Sequence, residues 1–190
     1  MKDWLFYPLA VMAIIAMIAF AYTRGRHAAV PTGSTFIVEG QNLNTLYAAQ
    51  GVSFSIAGDA ENPNAYAVLS AHVSRANAPP SAGVFVTLPP AYKEMYAGQA
   101  LRISITARKG RGSKLESFDV GYLTTDAGAS GWQTFEVTND FEDFEFAFTP
   151  GKPGAPGGSD YVGIWPDVDG ESRTLDVKEI RVEPVSPKKE

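Results

Sequence analysis

Two stretches decide the fold: GWQTFEVTNDFEDFEFAFTP, from Gly131 to Pro150, and DYVGIWPDVDGESRTLDVKEIRV, from Asp160 to Val182, with a Gly/Pro loop between them. Within FEFAF, Phe144, Phe146 and Phe148 fall on one face, and Glu145 and Ala147 fall on the other. In LDVKEIRV, Leu175 and Val177 alternate with Asp176, and Ile180 and Val182 alternate with Arg181. A side-chain period of two, in β-branched and aromatic residues set between turn residues, predicts half-buried antiparallel strands.

The same pattern extends towards the amino terminus. Strands are predicted at Thr35–Glu39, Val52–Ala57, Ala65–Val73, Ala82–Leu88, Ala100–Ala107 and Ser117–Thr124. Further strands are predicted at Gln133–Val137, Phe141–Thr149, Asp160–Ile164 and Thr174–Val182. Pro89-Pro90 closes the fourth strand, because proline cannot continue a ladder, and Tyr92–Gly98 reads as a turn. Residues 40–50 read as a short helix or an irregular loop, and no helix longer than one turn is required in this region. About ten short strands with regular turn signals fit a two-sheet antiparallel β-sandwich.

Composition supports an all-β domain. Of 190 residues, 18 are Gly and 13 Pro, and long helix-forming runs are scarce. No cysteine is present, so disulfides, thiol catalysis and Cys-ligated metals are excluded. Residues 1–27 carry Lys2, Arg24 and Arg26 against Asp3, a sum of +2, so the net −5 of the chain leaves −7 on residues 28–190. A domain this acidic is a poor general binder of nucleic acid, whose phosphates need a positive surface.

Residues 4–22, WLFYPLAVMAIIAMIAFAY, hold no charge and come close to spanning ~30 Å of hydrocarbon as a helix. Trp4, Tyr7 and Tyr22 lie near the two ends, where amphipathic rings favour the headgroup region. The expectation is one amino-terminal transmembrane helix. A cleaved signal peptide is the competing reading, since Ala19-Phe20-Ala21 has the small-x-small cleavage pattern. Arg24 and Arg26 after the span favour a cytoplasmic domain by the positive-inside rule, whereas a sandwich of this type is more at home outside the cytoplasm. We weigh the fold above a bias of one or two charges. The organisation is then an anchor over 1–27, a linker over 28–34 (AAVPTGS), the sandwich over 35–184 and a tail over 185–190.

The order of the parts carries a family resemblance. A turn Tyr96-Ala97-Gly98-Gln99 leads into LRISITARKG, followed by FDVGYLT, SGWQTFEVT, a Phe-rich strand, DYVGIWPD and LDVKEIRV. This resembles the galactose-binding-like jelly roll of carbohydrate-binding modules appended to xylanases and glucanases. It covers roughly residues 36–183 and is a pattern of strands and turns more than a fixed motif. The resemblance implies a glycan ligand, and it implies a structural calcium tying the first strand to the last. Asp176 matches the closing Asp of that calcium set and Glu39 stands near the first-strand acid, while Val177 replaces a second Asp that is common there. An ordinary polar edge residue is the other reading of Asp176. No further cofactor is called for.

Sugar recognition uses an aromatic platform for the apolar face of a pyranose and polar groups for its hydroxyls. In DYVGIWP, Val162 and Ile164 share one face, so Tyr161 and Trp165 share the other. If the aliphatic pair is core, Trp165 is the leading stacking candidate, with Tyr161 and Tyr122 behind it. The alternative is that Trp165 packs beneath Pro166. Trp132, at a strand entrance, is expected in the core. Asp140, Glu142, Asp143 and Glu145 read as a solvated edge that discourages strand pairing, not as a glycosidase pair across a cleft. His72 is the only histidine inside the domain and no GxSxG elbow accompanies it, so a serine triad lacks its parts. Arg102, Arg108, Lys109, Arg111 and Lys114 concentrate positive charge that could meet anionic polysaccharide or lipid headgroups, but the default reading is a solvated hairpin tip.

The expected protein is a membrane-anchored, non-catalytic module that binds a glycan or polysaccharide at the cell envelope, with its domain outside the cytoplasm. The alternative is an envelope protein–protein interaction or assembly module with no sugar ligand.

Overall fold

The computed structural model describes residues 33–58, 64–152 and 158–185. The apolar segment 4–22, the tail 186–190 and the centre of the Gly/Pro loop lie outside the described residues. Among the described residues no helix is long and apolar enough to cross a membrane.

Among the described residues, eleven strands form the domain. In chain order they are β1 (Phe36–Glu39), β2 (Tyr47–Ala48), β3 (Val52–Ala57), β4 (Tyr66–Ala71), β5 (Val84–Thr87), β6 (Leu101–Lys109), β7 (Ser117–Leu123), β8 (Gln133–Glu136), β9 (Glu142–Phe148), β10 (Tyr161–Trp165) and β11 (Thr174–Pro184). The larger sheet has six strands in the order β3-β4-β11-β6-β9, with β1 also paired to β11. In the smaller sheet β10, β7 and β8 pair antiparallel, β2 pairs with β5, and a parallel bridge from Gly83 to Ile164 sets β5 beside β10. The two-sheet antiparallel sandwich expected from the alternation is the observed architecture.

The phase change in the last strand has a structural counterpart. Leu175 and Val177 point inward, and so do Ile180 and Val182, although strict alternation cannot place both pairs on one face. The register with β6 shifts between Val177 and Glu179, so Lys178 is an extra residue that resets the pleat. β11 can then present apolar side chains inward along its length, and it pairs with β4 through its first half and with β1 through its second. Leu101, Ile103, Ile105 and Ala107 of β6 face Phe118, Val120, Tyr122, Val162 and Ile164 of the smaller sheet across the core, all fully buried.

Three elements differ from expectation. Residues Pro90–Tyr96, read as a turn, form a helix of seven residues, α1. Pro90 occupies its first turn, where a missing N–H costs nothing, and Tyr92, Lys93 and Tyr96 are buried at helical spacing. Phe144, Phe146 and Phe148, whose shared face predicts core positions, pack against the core but are only partly buried, because β9 is an edge strand. They seal the open side of the sandwich, with Phe118 to Phe144 at 5.1 Å and Tyr122 to Phe148 at 5.5 Å between ring centroids. Trp132, expected in the core, is half-buried on the outer side of the smaller sheet, where a Cβ at Gly121 would lie 3.5 Å from its ring.

Tyr96 ties both ends of the domain together. Its buried hydroxyl accepts the Phe36 amide at 3.1 Å and stands 2.9 Å from the carbonyl oxygens of Ser34 and Val182. The first and last strands are therefore held by one side chain from α1.

Candidate functional site

The outer face of the smaller sheet carries an aromatic strip. In β5, Val84 and Val86 are buried, so alternation turns Phe85 and Thr87 outward. Tyr47 of β2 stands opposite Phe85 in register and stacks on it, with centroids 5.7 Å apart and planes at 26°. On the other side Tyr161 of β10 meets Phe85 edge-on at 5.6 Å and 85°. Tyr47 is the most open of the large apolar side chains at 59% exposure.

These rings line an open hollow of about 570 Å³, completed by Ala49, Ser81, Ala82 and Thr87. Its walls are mainly apolar, and Ser81, Thr87 and the two tyrosines are the hydroxyl-bearing residues among them. Two glycines make the juxtaposition of β5 and β10 feasible. Gly83 has φ +68°, and a Cβ there would collide with the Ile164 carbonyl oxygen. A Cβ at Gly163 would collide with the Ala82 carbonyl oxygen. Any larger residue would push β5 away from β10 and separate Phe85 from Tyr161.

Of the residues singled out from the sequence, Tyr161 lies in the strip. Trp165 shares its outward face, as alternation requires, but it is only 1% exposed. A Cβ on Gly83 would lie 3.1 Å from its ring, so the chain entering β5 packs against the indole. Tyr122 faces the core at 0% exposure. Its hydroxyl donates to Asp160 Oδ2 at 2.8 Å, and burial, reinforced by that carboxylate, pushes its pKa up. Burial also pushes the Asp160 carboxyl above its ordinary value, against the lowering pull of the Tyr122 hydrogen bond and of Lys93. Lys93 is itself buried and ion-paired to Asp126 at 2.9 Å. This buried group braces the strip from beneath, since the carbonyl of Asp160 accepts the Leu88 amide at 2.8 Å and so joins the end of β5 to the start of β10.

Asp176 and Glu39 are placed differently. Asp176 is 2% exposed, and its Oδ2 lies 3.0 Å from Arg108 Nε, whose guanidinium also covers the ring of Phe141 at 4.3 Å. Glu39 is exposed at the end of β1, opposite Glu179. Among the described residues no group of three His, Cys, Asp or Glu side chains stands where it could hold a metal ion. Asp140, Glu142, Asp143 and Glu145 are all exposed on or beside the edge strand β9.

A second constellation lies further along the same outer face. Asp119 stands opposite Trp165 in register and is fully buried. Its Oδ1 accepts the Thr134 hydroxyl at 2.6 Å, and its Oδ2 is 2.5 Å from Arg75 Nε. The Arg75 guanidinium lies 5.7 Å from the centroid of Trp132. Neither Tyr47 and Phe85 nor Arg75 and Asp119 were among the residues singled out from the sequence. Phe85 had a signal, an aromatic among the outward positions of a strand whose Val84 and Val86 mark the inward face. Tyr47 and Arg75 had none, because their segments carry no periodicity.

The fold is a two-sheet β-sandwich similar in architecture to solved carbohydrate-binding modules. The structure is similar to the CBM22-1 xylan-binding domain from Paenibacillus barcinonensis, with a TM-score of 0.54 and 13% identity over 84% of this chain and 99% of that one. It is similar to the CBM22-1–CBM22-2 tandem domain from the same organism, with a TM-score of 0.58 and 12% identity over 84% of this chain and 49% of that one. A C-terminal family 22 carbohydrate binding module from Clostridium thermocellum gives a TM-score of 0.53 and 12% identity over 82% of this chain and 95% of that one. No family model and no curated protein matches the chain. At these identities the likeness establishes the fold.

Proposed function

We propose that the domain is a non-catalytic module that binds a glycan on the Tyr47–Phe85–Tyr161 strip. The observation that carries this reading is the strip itself: three aromatic rings from three different strands, in contact with one another along an open, mainly apolar hollow also lined by Ser81 and Thr87. Aromatic rings offer area to the C–H face of a sugar with little loss of side-chain freedom, and hydroxyl-bearing neighbours supply hydrogen bonds to its hydroxyl groups. The xylan-binding neighbour has the same fold, which makes a polysaccharide the first ligand class to test.

The test is affinity electrophoresis of the full chain, kept in detergent, through gels containing xylan, β-glucan, mannan or galactan. Tyr47→Ala is the informative variant, because that ring is more than half exposed and its removal leaves the core intact. Losing one stacking ring weakens binding about tenfold, corresponding to ~1.4 kcal/mol. If no polysaccharide retards the parent, or the variant is retarded equally, the reading fails. Capture by a protein partner with no sugar binding would then favour an assembly module.

We also propose that the segment 4–22 anchors the chain in a single pass with the domain outside the cytoplasm. Its length and freedom from charge support the span. Protease accessibility of the domain, on the periplasmic or extracellular side, is tested in cells stripped of any outer membrane and wall, and full protection there until lysis would reverse the orientation.

A further inference from the structure

Resting on the glycan reading above, we infer that the same face selects an acidic glycan, with Arg75 as the group that meets a uronate carboxylate beside the aromatic strip. Arg75 is held in one place by two neighbours. Its Nε lies against the buried carboxylate of Asp119 at 2.5 Å, and its guanidinium lies over Trp132 at 5.7 Å. The backbone is fixed as well, since the Arg75 amide donates to the Val168 carbonyl at 3.0 Å. The side chain nevertheless remains 38% exposed, while the Asp119 carboxylate it faces is fully buried.

A guanidinium anchored through Nε keeps its outer N–H groups free for a second carboxylate, in the forked geometry that carboxylates accept. Arg75 thus serves Asp119 with one side and solvent with the other. Asp119 is a positioning residue here, buried beneath the sheet surface, where it orients the arginine.

The placement relative to the strip is set by strand register. Tyr161 pairs with Leu123 and Trp165 pairs with Asp119, so the two sites share a face four residues apart along β10. At ~3.3 Å per residue that is about 13 Å, a span that a short oligosaccharide would bridge by crossing over the segment Ala82–Gly83 that covers this part of β10. A general attraction for polyanions does not explain such binding, because residues 28–190 carry a net charge of −7. An acidic polymer would have to find a specific cation, and Arg75 is one presented on this face.

The test compares alginate and polygalacturonate with the same polymers after carboxyl reduction, measured by calorimetry on the full chain in detergent. The parent is expected to bind the uronate forms about tenfold more tightly than the reduced forms, the size of one charge-assisted hydrogen-bonding contact. Arg75→Gln should abolish that preference, whereas Tyr47→Ala should weaken binding to both forms and keep the preference. If loss of the charge partner to Asp119 unfolds Arg75→Gln, Arg75→Lys keeps the charge without the fork and should still lose most of the preference. Equal affinity of the parent for both forms would overturn the inference and leave the glycan reading intact. A preference that survives both Arg75 variants would do the same. Binding of no polymer, acidic or neutral, would overturn both.

Discussion

Tyr96→Phe removes one oxygen atom and isolates the clamp between the first and last strands. The hydroxyl is fully buried, accepts the Phe36 amide at 3.1 Å and has two carbonyl oxygens at 2.9 Å, one of which takes its proton. Phenylalanine keeps the ring and its packing, so the change is confined to hydrogen bonding. It leaves the buried Phe36 N–H without that acceptor and a carbonyl without its donor. A buried polar group stripped of its partner costs about 2 kcal/mol. For a domain of this size that is roughly 4–8 °C in Tm. Burial pushes the Tyr96 hydroxyl above its ordinary value, so it remains protonated in the fold. Its contribution is therefore full below the unfolded tyrosine value of about 10 and declines only above it. Thermal melts followed by circular dichroism give the shift, and amide exchange at Phe36 locates it. A Tm within 1 °C of the parent (about 0.3 kcal/mol), with Phe36 exchange unchanged, would refute the clamp.

Two further predictions concern the buried charges. Burial raises the Asp160 pKa, so the folded state favours its protonated form, and its stabilising contribution is present below the ordinary Asp value of about 4 and lost as pH rises through the folded pKa. The Tm of the parent minus that of Asp160→Asn should therefore fall between acidic pH and neutrality, and a difference that stays level or grows would contradict the burial argument. At Asp176 the positive charge is already supplied by Arg108 at 3.0 Å. Chelation with EDTA should leave the Tm unchanged, whereas a fall restored by calcium would place an ion on that strand.

Much of the architecture was legible because strand alternation is local. The inward positions of β6, β7, β10 and β11 follow from a period of two, and even the bulge at Lys178 is announced by the change of phase between Val177 and Ile180. Helix α1 was hidden by Pro89-Pro90, which reads as a terminator of β5 but equally opens a helix. β2 was hidden by its length, since two residues establish no period.

The site divides along the same line. By itself the sequence determined which faces of the strands are apolar, and hence that Tyr161 and Trp165 point away from the core. Only the tertiary structure decided which of those outward rings reaches solvent. Trp165 is covered because Gly83, some eighty residues earlier, brings the chain entering β5 against it. Tyr161 stays open because what lies beside it is a ring, Phe85, with Tyr47 beyond. The same holds for Arg75, which becomes a fixed donor only when β7 sets Asp119 beside it. Alternation is a property of one strand, whereas exposure depends on which distant segment packs against that strand's outer face.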